Sequence, residues 1–545
     1  MKRILLSTLL ITLLFSMPLA LSAQTQDDAV VLASTSQPPT LMRDFNRTAI
    51  GALVMGLIYN NLVKSDFDGN IVPDLAESWE VSEDQRTWTF KLREDVLWQD
   101  GVPLTAEDIK FTFEMSAHPG YVGVLYDATL LGAEAKKNGE ADEVEGVKVI
   151  DDYTISLTTV DPNSLFLEST FFGQRMIMPA HLLKDIPVAE LVSSEQVSRP
   201  IGTGPYHLVD WKADELLEFE AFDDHFAGRP NLSRIFWRII PDTSVQVTEL
   251  LNGTLDIITA VPADDFSLFT DEPGFATLNM PGVTFYSIFM NTSLPYFNAV
   301  GVRRAMSHAI DKESLILAVA SGQGTVTTSW VHPSLPQYNP ELEGYAFDPD
   351  LARELLAEAG WSDDDGDGII ESHGVEGLDD GTPFSVELGT LPDLYSLQAQ
   401  VIQQNLAAVG IETEINVVDF NIYFAEYVTS ANPDYQMAMS AWFNLIVPTH
   451  TELVWSYASY SRSYHQTLWQ NQELEDLLAE IPQTFDIDQR NQLYYRVEEI
   501  TEEELPILFL IRLDDLVAHR ENLIVPQVSS LSQLLSSIPQ WEWAS

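Results

Sequence analysis

The chain has 545 residues, of which 82 are acidic and 28 basic, and its formal net charge is −54. So strong a negative charge argues against nucleic acid or an anionic membrane surface as a partner. Cysteine is absent, which excludes disulfides, thiolate zinc sites, iron–sulfur clusters and a lipoprotein anchor on cysteine.

The N-terminal residues have the order of an export signal. Two basic residues precede an apolar run from Ile4 to Ala20, and small residues follow up to Ala23. This pattern predicts a signal peptide over residues 1–23, although the length of the run leaves a retained membrane anchor open. No later apolar run is long enough for a membrane span, so we expect a periplasmic or otherwise extracytoplasmic protein.

A strand, a turn and a helix are predicted in succession early in the chain. Trp88, Phe90 and Leu92 alternate with polar residues, which is typical of a half-buried strand. After the turn at Asp100-Gly101, Thr105 is placed to cap a helix, with Asp108 as its capping-box partner.

Helices and strands alternate in the second half of the chain. Apolar residues at helical spacing lie between Val302 and Ile310, and Asp311 can begin the next helix. Asp348-Pro349 begins another, and the alternation after Gly410 predicts a strand. This order predicts α/β lobes with largely parallel sheets.

Four segments resemble family 5 of the bacterial extracellular solute-binding proteins, the group of peptide-, oligopeptide- and nickel-binding proteins. They occur in the family's order and span nearly the whole chain. The segments are PDLAESWEVSEDQRTWTFKLREDVLWQDGVPLTAEDIKFTFE from Pro73, RPIGTGPYHLVDW from Arg199, FMNTSLPYFNAVGVRRAMSHAIDKESLI from Phe289 and YAFDPDLARELLAEAGW from Tyr345.

The resemblance implies a two-lobed, clamshell α/β fold of the type II periplasmic binding proteins, with an extra subdomain in lobe 1. The implied division is lobe 1 from residues 24–63, 199–282 and 505–545, the extra subdomain from 64–198, and lobe 2 from 283–504. The implied function is delivery of a peptide-like ligand to the permease of an ABC transporter by hinge closure, as a monomer and not as an enzyme.

Competing chemistry finds little support. The sequence contains no HExxH, GxSxG, SxxK or Walker-type phosphate loop. Acidic residues are so numerous that any pair of them could be cast as the acid and base of a glycosidase. A secreted glycosidase is therefore the rival from another class, and an assay for sugar turnover distinguishes it.

An acidic loop resembles the first half of a calcium-binding loop. Asp363, Asp365 and Asp367 are spaced by two, a glycine follows, and Glu371 lies nearby. Gly374 occupies the position where the bidentate glutamate is expected. Structural calcium and a plain Asp/Gly-rich turn both remain open, and no cofactor is required.

The expected ligand pocket lies near Trp442. In peptide-binding relatives a carboxylate shortly after a Trp pairs with the peptide's amino group, whereas here Phe443 and Asn444 follow and the first acid is Glu452. This departure predicts weak binding of short free dipeptides, because a buried unpaired ammonium is costly. Asn444 could bond a neutral polar group, and the aromatic rings could stack on sugars, which makes an oligosaccharide the competing ligand.

Three further residues complete the predicted pocket. Trp330 lies in a loop, TSWVHP, where a side chain can be exposed, so that ligand contact and surface packing are equally open. Tyr286 lies near the first crossing between the lobes, and Gln37 lies in the N-terminal loop that approaches ligand in the family. Each also has a purely structural interpretation, as core, sheet or turn residue.

Overall fold

Two lobes share one mixed β-sheet in the computed structural model, which describes residues 28–544 except 47, 68, 124–127, 170–174, 271, 429–434 and 444–466. Within these residues the strands are β1 (Ala29–Ser34), β2 (Val63–Ser65), β3 (Ile71–Pro73), β4 (Ala76–Val81), β5 (Thr87–Leu92), β6 (Val147–Asp151), β7 (Thr154–Thr158), β8 (Tyr206–Lys212), β9 (Leu216–Ala221), β10 (Arg234–Ile239), β11 (Ile257–Ile258), β12 (Phe275–Met290), β13 (Gly324–Val326), β14 (Trp361–Ser362), β15 (Glu371–Ser372), β16 (Ser385–Thr390), β17 (Glu412–Val417), β18 (Met437–Phe443), β19 (Ile507–Arg520), β20 (Leu523–Ile524) and β21 (Glu542–Trp543). The α-helices of the same residues are α1 (Ala49–Met55), α2 (Ala106–Ser116), α3 (Ala133–Lys137), α4 (Ala180–Leu183), α5 (Thr243–Asn252), α6 (Ser267–Thr270), α7 (Val300–Ala309), α8 (Lys312–Ala320), α9 (Pro349–Glu358), α10 (Leu394–Ala407), α11 (Phe420–Tyr423), α12 (Gln472–Glu480), α13 (Ile487–Glu504) and α14 (Leu531–Ser536).

The large sheet runs in the order β17, β16, β18, β12, β19, β11, β1, β10, β9, β8, and β13 also pairs with β19. Strand β1 is parallel to β10 and β11, and β16 is parallel to β17 and β18. The pairs made by β12 and β19, and those of β8 with β9 and β9 with β10, are antiparallel. The expectation of largely parallel sheets is wrong at the centre, because the chain crosses between the lobes once in each direction. It is also wrong at the lobe 1 edge, where β8, β9 and β10 are consecutive antiparallel neighbours.

Strands β12 and β19 run through both lobes. They pair along nearly their whole length, and the register shifts between Pro281 and Phe285. The predicted boundary between residues 282 and 283 falls at this shift, and the predicted return crossing over residues 505–511 falls at the start of β19. The irregular stretch is a natural place for bending, since ladder pairing is interrupted there.

Each lobe has its own hydrophobic core. Lobe 1 buries the inward residues of β1, β9 and β10 together with the C-terminal tail. Lobe 2 has a cluster on either face of its sheet, one under α7 to α10 and the other under α12 and α13. These separate cores allow the lobes to move as units.

The extra subdomain is built on a four-stranded antiparallel sheet, β4-β5-β7-β6, with its own core. Strand β5 and helix α2 confirm the strand and helix predicted from this segment. The Thr105 N–H donates to the Asp108 carboxylate at 2.9 Å, as the capping box requires.

Local signals also set the helices of lobe 2. The Asp311 side chain accepts from the Ser314 N–H at 3.0 Å and begins α8. Asp348 caps α9, and Gly360 follows that helix with a φ of +88°. Among the described residues, no helix combines the length and the apolar character that a membrane span requires.

Candidate functional site

The two lobes face each other with the carboxyl ends of their parallel strands. In lobe 1, β1 and β10 end toward lobe 2, because β1 is parallel to β11 and β11 is antiparallel to β19. In lobe 2, β16, β17 and β18 end toward lobe 1. Ligands of open α/β sheets bind outside such carboxyl ends. The cleft between the lobes is therefore the candidate site.

Trp442 lies near the carboxyl end of β18, where it pairs with Phe285 of β12. Its ring is partly exposed and meets that of Phe289 edge-on, with 6.4 Å between the ring centres. Phe443 ends the strand, and Asn444 lies outside the described residues. The structure thus places Trp442 at the cleft end of lobe 2, while contact of these three residues with ligand stays a prediction.

Trp330 is not exposed as its loop position suggested. Its side chain is 3% exposed and packs in the lobe 2 cluster, with its ring centre 6.4 Å from that of Tyr494. Its backbone carbonyl accepts a hydrogen bond from Arg512 at 3.0 Å. The expected exposure was wrong because α13, far along the chain, covers the loop.

Gln37 lies beyond the cleft-facing end of β1, but its carboxamide is engaged. The amide group donates to the Asp214 carboxylate at 2.8 Å. Its oxygen accepts from the Trp211 indole N–H at 3.1 Å and from the Asp214 N–H at 3.0 Å. These bonds tie the N-terminal loop to the β8–β9 turn, which is a structural role.

Tyr286 lies on β12 at the lobe junction. Its ring meets that of Tyr395, at the start of α10, with 5.7 Å between centres. Burial raises the pKa of Tyr286 to about 12, and the charges of Tyr395 and Asp515 add to the rise. Tyr395 and Asp515 were not singled out from the sequence. The signal for Asp515 is visible there, since two acids interrupt the apolar strand LPILFLIRLDDL.

A buried arginine holds the crossing strands to the loop of Trp330. The Arg512 guanidinium donates to the backbone carbonyls of Val283 at 3.2 Å, Ser329 at 3.3 Å and Val331 at 3.1 Å, besides that of Trp330. Burial lowers the pKa of Arg512 to about 10. The arginine thus donates to four backbone carbonyls, of which that of Ser329 also accepts from the Thr327 hydroxyl at 2.8 Å.

A buried glutamate completes this network. Glu498 of α13 accepts hydrogen bonds from the Ser329 hydroxyl and from the Asn339 N–H, the latter at 2.8 Å. Its side chain is fully buried, and burial raises its pKa to about 8. Strand, loop and helix are therefore linked through buried polar groups.

Residues 163–168 of the extra subdomain and residues 481–490 of lobe 2 form a second connection, which we call the clasp. The Ser164 N–H donates to the Pro482 carbonyl at 2.6 Å, and its hydroxyl donates to the Ile481 carbonyl at 3.2 Å. Arg490 donates to the Ser164 carbonyl at 3.1 Å and pairs with Glu168 at 2.5 Å. Both charged side chains are largely buried.

The clasp also exchanges apolar side chains. Leu165 of the extra subdomain packs against the lobe 2 cluster under α12 and α13. Phe485 of lobe 2 packs in return against the core of the extra subdomain, where it stacks on Trp88 with 6.2 Å between ring centres. Each unit therefore contributes to the core of the other.

The acidic loop brings its predicted ligands together. One oxygen each of Asp363, Asp365, Asp367 and Glu371 lies within 4.8 Å of the others. The three Asp side chains are exposed and also accept backbone N–H bonds within the loop, such as Gly366 to Asp363 at 2.7 Å. This arrangement suits a hard cation with oxygen ligands, and calcium stays a prediction.

Comparison with known proteins finds relatives over most of the chain. Residues 70–464 match the family "Bacterial extracellular solute-binding proteins, family 5 Middle". The oligopeptide-binding protein AppA of Bacillus subtilis is 25% identical over 511 residues, covering 91% of this chain and 88% of AppA. The dipeptide-binding protein of Escherichia coli is 25% identical over 473 residues, covering 83% of each chain.

The fold has a close counterpart among solved structures. The structure of Bacillus subtilis AppA in complex with a nonapeptide covers 95% of this chain and 100% of its own, with a TM-score of 0.76 and 24% identity. The likeness extends over both lobes and the extra subdomain, which confirms the predicted two-lobed α/β architecture.

Proposed function

Because the chain belongs to family 5 of the bacterial extracellular solute-binding proteins, we propose that it encloses a peptide between its lobes and delivers it to an ABC importer. The observation that supports this most is the pair of crossing strands β12 and β19 between two separately cored lobes. A ligand that contacts both lobes stabilises the closed arrangement and shifts the population toward it.

Peptide is favoured over oligosaccharide by the placement of the aromatic rings. Sugar binding by stacking needs accessible ring faces, whereas Trp330 is buried in the lobe 2 cluster and Trp442 is packed on one side against Phe289. Peptides instead bind chiefly through their backbone groups, which need few special side chains. Oligosaccharide is therefore an outcome of the test and not the leading proposal.

The remaining features fit delivery outside the cytoplasm. The export signal proposed for residues 1–23 lies outside the described residues. A closed monomer would present both lobes at once to the permease subunits. The importer would thereby distinguish the ligand-bound protein from the ligand-free protein. The large negative charge of −54 would favour a permease surface with basic residues.

Identification of bound ligand tests the proposed function. The protein is purified without denaturation, and any small molecules released from it are identified by mass spectrometry. Calorimetry then measures binding of peptide and oligosaccharide panels. We expect peptides to be released and to bind; binding confined to oligosaccharides, or catalytic turnover of either class, would contradict the proposal.

A further inference from the structure

The clasp joins the extra subdomain directly to lobe 2. Its first side, residues 163–168, is a turn that follows β7. Its second side, residues 481–490, runs from the end of α12 into the first turn of α13. Ser164 and Arg490 are 326 positions apart in the chain. Their contact therefore depends on how the two units are placed, and not on local chain connectivity.

Ser164 directs its hydrogen-bonding groups to lobe 2. Its N–H donates to the carbonyl of Pro482 at 2.6 Å, and its hydroxyl donates to the carbonyl of Ile481 at 3.2 Å. Its own carbonyl accepts from the Arg490 guanidinium at 3.1 Å. If the two sides separate, water can replace these partners, so that the Ser164 groups stay hydrogen-bonded. The polar part of the clasp can therefore form and separate reversibly.

The charged pair of the clasp takes one partner from each unit. Arg490 of lobe 2 and Glu168 of the extra subdomain lie 2.5 Å apart, and their side chains are 4% and 15% exposed. In a buried pair the attraction largely offsets the cost of removing both charges from water, whereas one charge left without its partner is strongly disfavoured. The pair thus makes the contact specific without making it permanent.

The clasp and the cleft share one hydrophobic cluster. Leu165 of the clasp and Trp442, near the cleft end of β18, both pack against the lobe 2 cluster under α12 and α13. In the extra subdomain Trp88 stacks on Phe166 and on Phe485 of lobe 2, with 5.4 and 6.2 Å between ring centres. The clasp is therefore connected by packing to the lobe 2 side of the candidate site.

We propose that the clasp is a latch of the closed protein, which forms when the lobes enclose a peptide and limits the rate at which the peptide leaves. This inference rests on the proposed function, because a bound peptide has to enter and leave between the lobes. Its passage requires one connection between the lobes to yield. The crossing strands are covalently continuous, so the clasp is the connection that can separate. The extra subdomain thereby contributes to ligand retention.

Removal of one clasp charge tests the proposal. Glu168→Gln leaves the Arg490 charge without its counter-ion in the closed form alone, and should raise the dissociation rate of a bound peptide about fivefold or more. The probe is the best-retained member of a random-sequence library of short peptides, identified by mass spectrometry after retention on the full-length protein. Displacement of a fluorescently labelled copy of this probe measures the dissociation rate.

Glu114→Gln is the matched control. Glu114 pairs with Lys136 at 2.6 Å, and its side chain is 16% exposed, as against 15% for Glu168. Both partners of this pair belong to the extra subdomain, so the pair should be intact in open and closed protein alike. The substitution should lower the melting temperature and leave peptide dissociation unchanged. Melting curves also check that Glu168→Gln is folded.

A cross-link across the clasp tests the same inference from the opposite direction. The chain has no cysteine, so Ser164→Cys combined with Pro482→Cys introduces the only two thiols. The hydrogen bond of 2.6 Å between their backbones places the two residues close enough for a disulfide. Oxidation should join them faster with the probe than without it. The joined protein should release the probe about tenfold more slowly, and reduction should restore the original rate.

The outcomes separate the latch from the proposed function. Equal dissociation rates of Glu168→Gln, Glu114→Gln and wild type, or equal cross-linking with and without the probe, would overturn the latch and leave the peptide function standing. A wild-type protein that retains no library member would overturn the proposed function and this inference with it.

Discussion

The crossing strands and the clasp connect the same lobes in opposite ways. At the crossing, β12 and β19 are covalently continuous and paired by backbone hydrogen bonds on both sides of the break at Pro281 to Phe285. At the clasp, residues distant in sequence meet through side chains and a few loop bonds, as Arg490 does with Glu168. A rotation between the lobes can keep the first connection, whereas a movement that separates the two sides of the clasp would break the second.

Because of this difference, the two connections should contribute to different free energies, namely that of unfolding and that of lobe closure. The crossing sets the axis of motion and must remain intact in every state, so its interactions contribute to overall stability. We expect the clasp to form when the lobes close and to be lost when they open, so its interactions should contribute to the balance between the two forms. Substitutions in the two regions should therefore change different measured quantities.

The largest effect is expected at the crossing. Arg512→Met removes a buried charged donor that bonds four backbone carbonyls and should lower the free energy of unfolding by about 3 kcal/mol or more. Urea unfolding followed by tryptophan fluorescence measures this change. Arg353→Met, at an exposed ion pair with Asp350, is the control and should change stability little. Equal stability of Arg512→Met and wild type would contradict the claim that interactions at the crossing contribute to overall stability.

The same network predicts a pH dependence. The pKa of Glu498 is raised from 4.5 to about 8 in the folded state, so the folded protein holds a proton that the unfolded chain has released. This contribution to stability is complete below about pH 4.5 and is lost as the pH rises toward 8. Relative to Glu498→Gln, the wild type should therefore lose stability from pH 5 to pH 8.

Urea unfolding of both proteins across this pH range measures the difference. A constant gap between wild type and Glu498→Gln would show that Glu498 does not titrate between the folded and unfolded states as its burial requires.

A smaller effect, on a different quantity, is expected at the clasp. If the clasp belongs to the closed form, Leu165→Ala removes apolar contact from that form alone and should weaken peptide binding by about 1 kcal/mol, roughly fivefold. Leu167→Ala is the matched control, because Leu167 packs against the core of its own subdomain. It should lower stability and leave affinity unchanged. Calorimetry of both variants decides whether the clasp favours closure; equal loss of affinity in the two would argue that it does not.

The smallest effect lies outside both regions, in the acidic loop. If the loop binds calcium, the added ion should raise the melting temperature by a few degrees through preferential binding to the folded state. Asp365→Ala should abolish this rise, whereas Asp364→Ala, beside the four clustered carboxylates, should retain it. Identical melting curves of the wild type in calcium and in chelator would show that the acidic loop is a structural turn that binds no calcium.

Local features were predictable from the sequence, whereas features that depend on distant pairing were not. The strand at Trp88, the capping box of Thr105 and the Asp348 cap rely on neighbouring residues, and all three are observed. The burial of Trp330 depends on Tyr494, and the antiparallel centre of the sheet depends on strands far apart in the chain.

The candidate site divides in the same way. The missing acid after Trp442 is visible in the sequence, and so is the acidic pair that contains Asp515. That Tyr286 lies beside Tyr395 depends on the position of α10 against β12, which neighbouring residues in the sequence do not determine.

The central claim is closure of two lobes around a ligand, and small-angle X-ray scattering tests it most directly. The profile is recorded for ligand-free protein, obtained by removing bound molecules, and for protein saturated with a peptide whose binding has been verified by calorimetry. We predict a smaller radius of gyration with peptide, because the lobes and the clasp come together. An unchanged profile at verified saturation would contradict closure as the mode of binding.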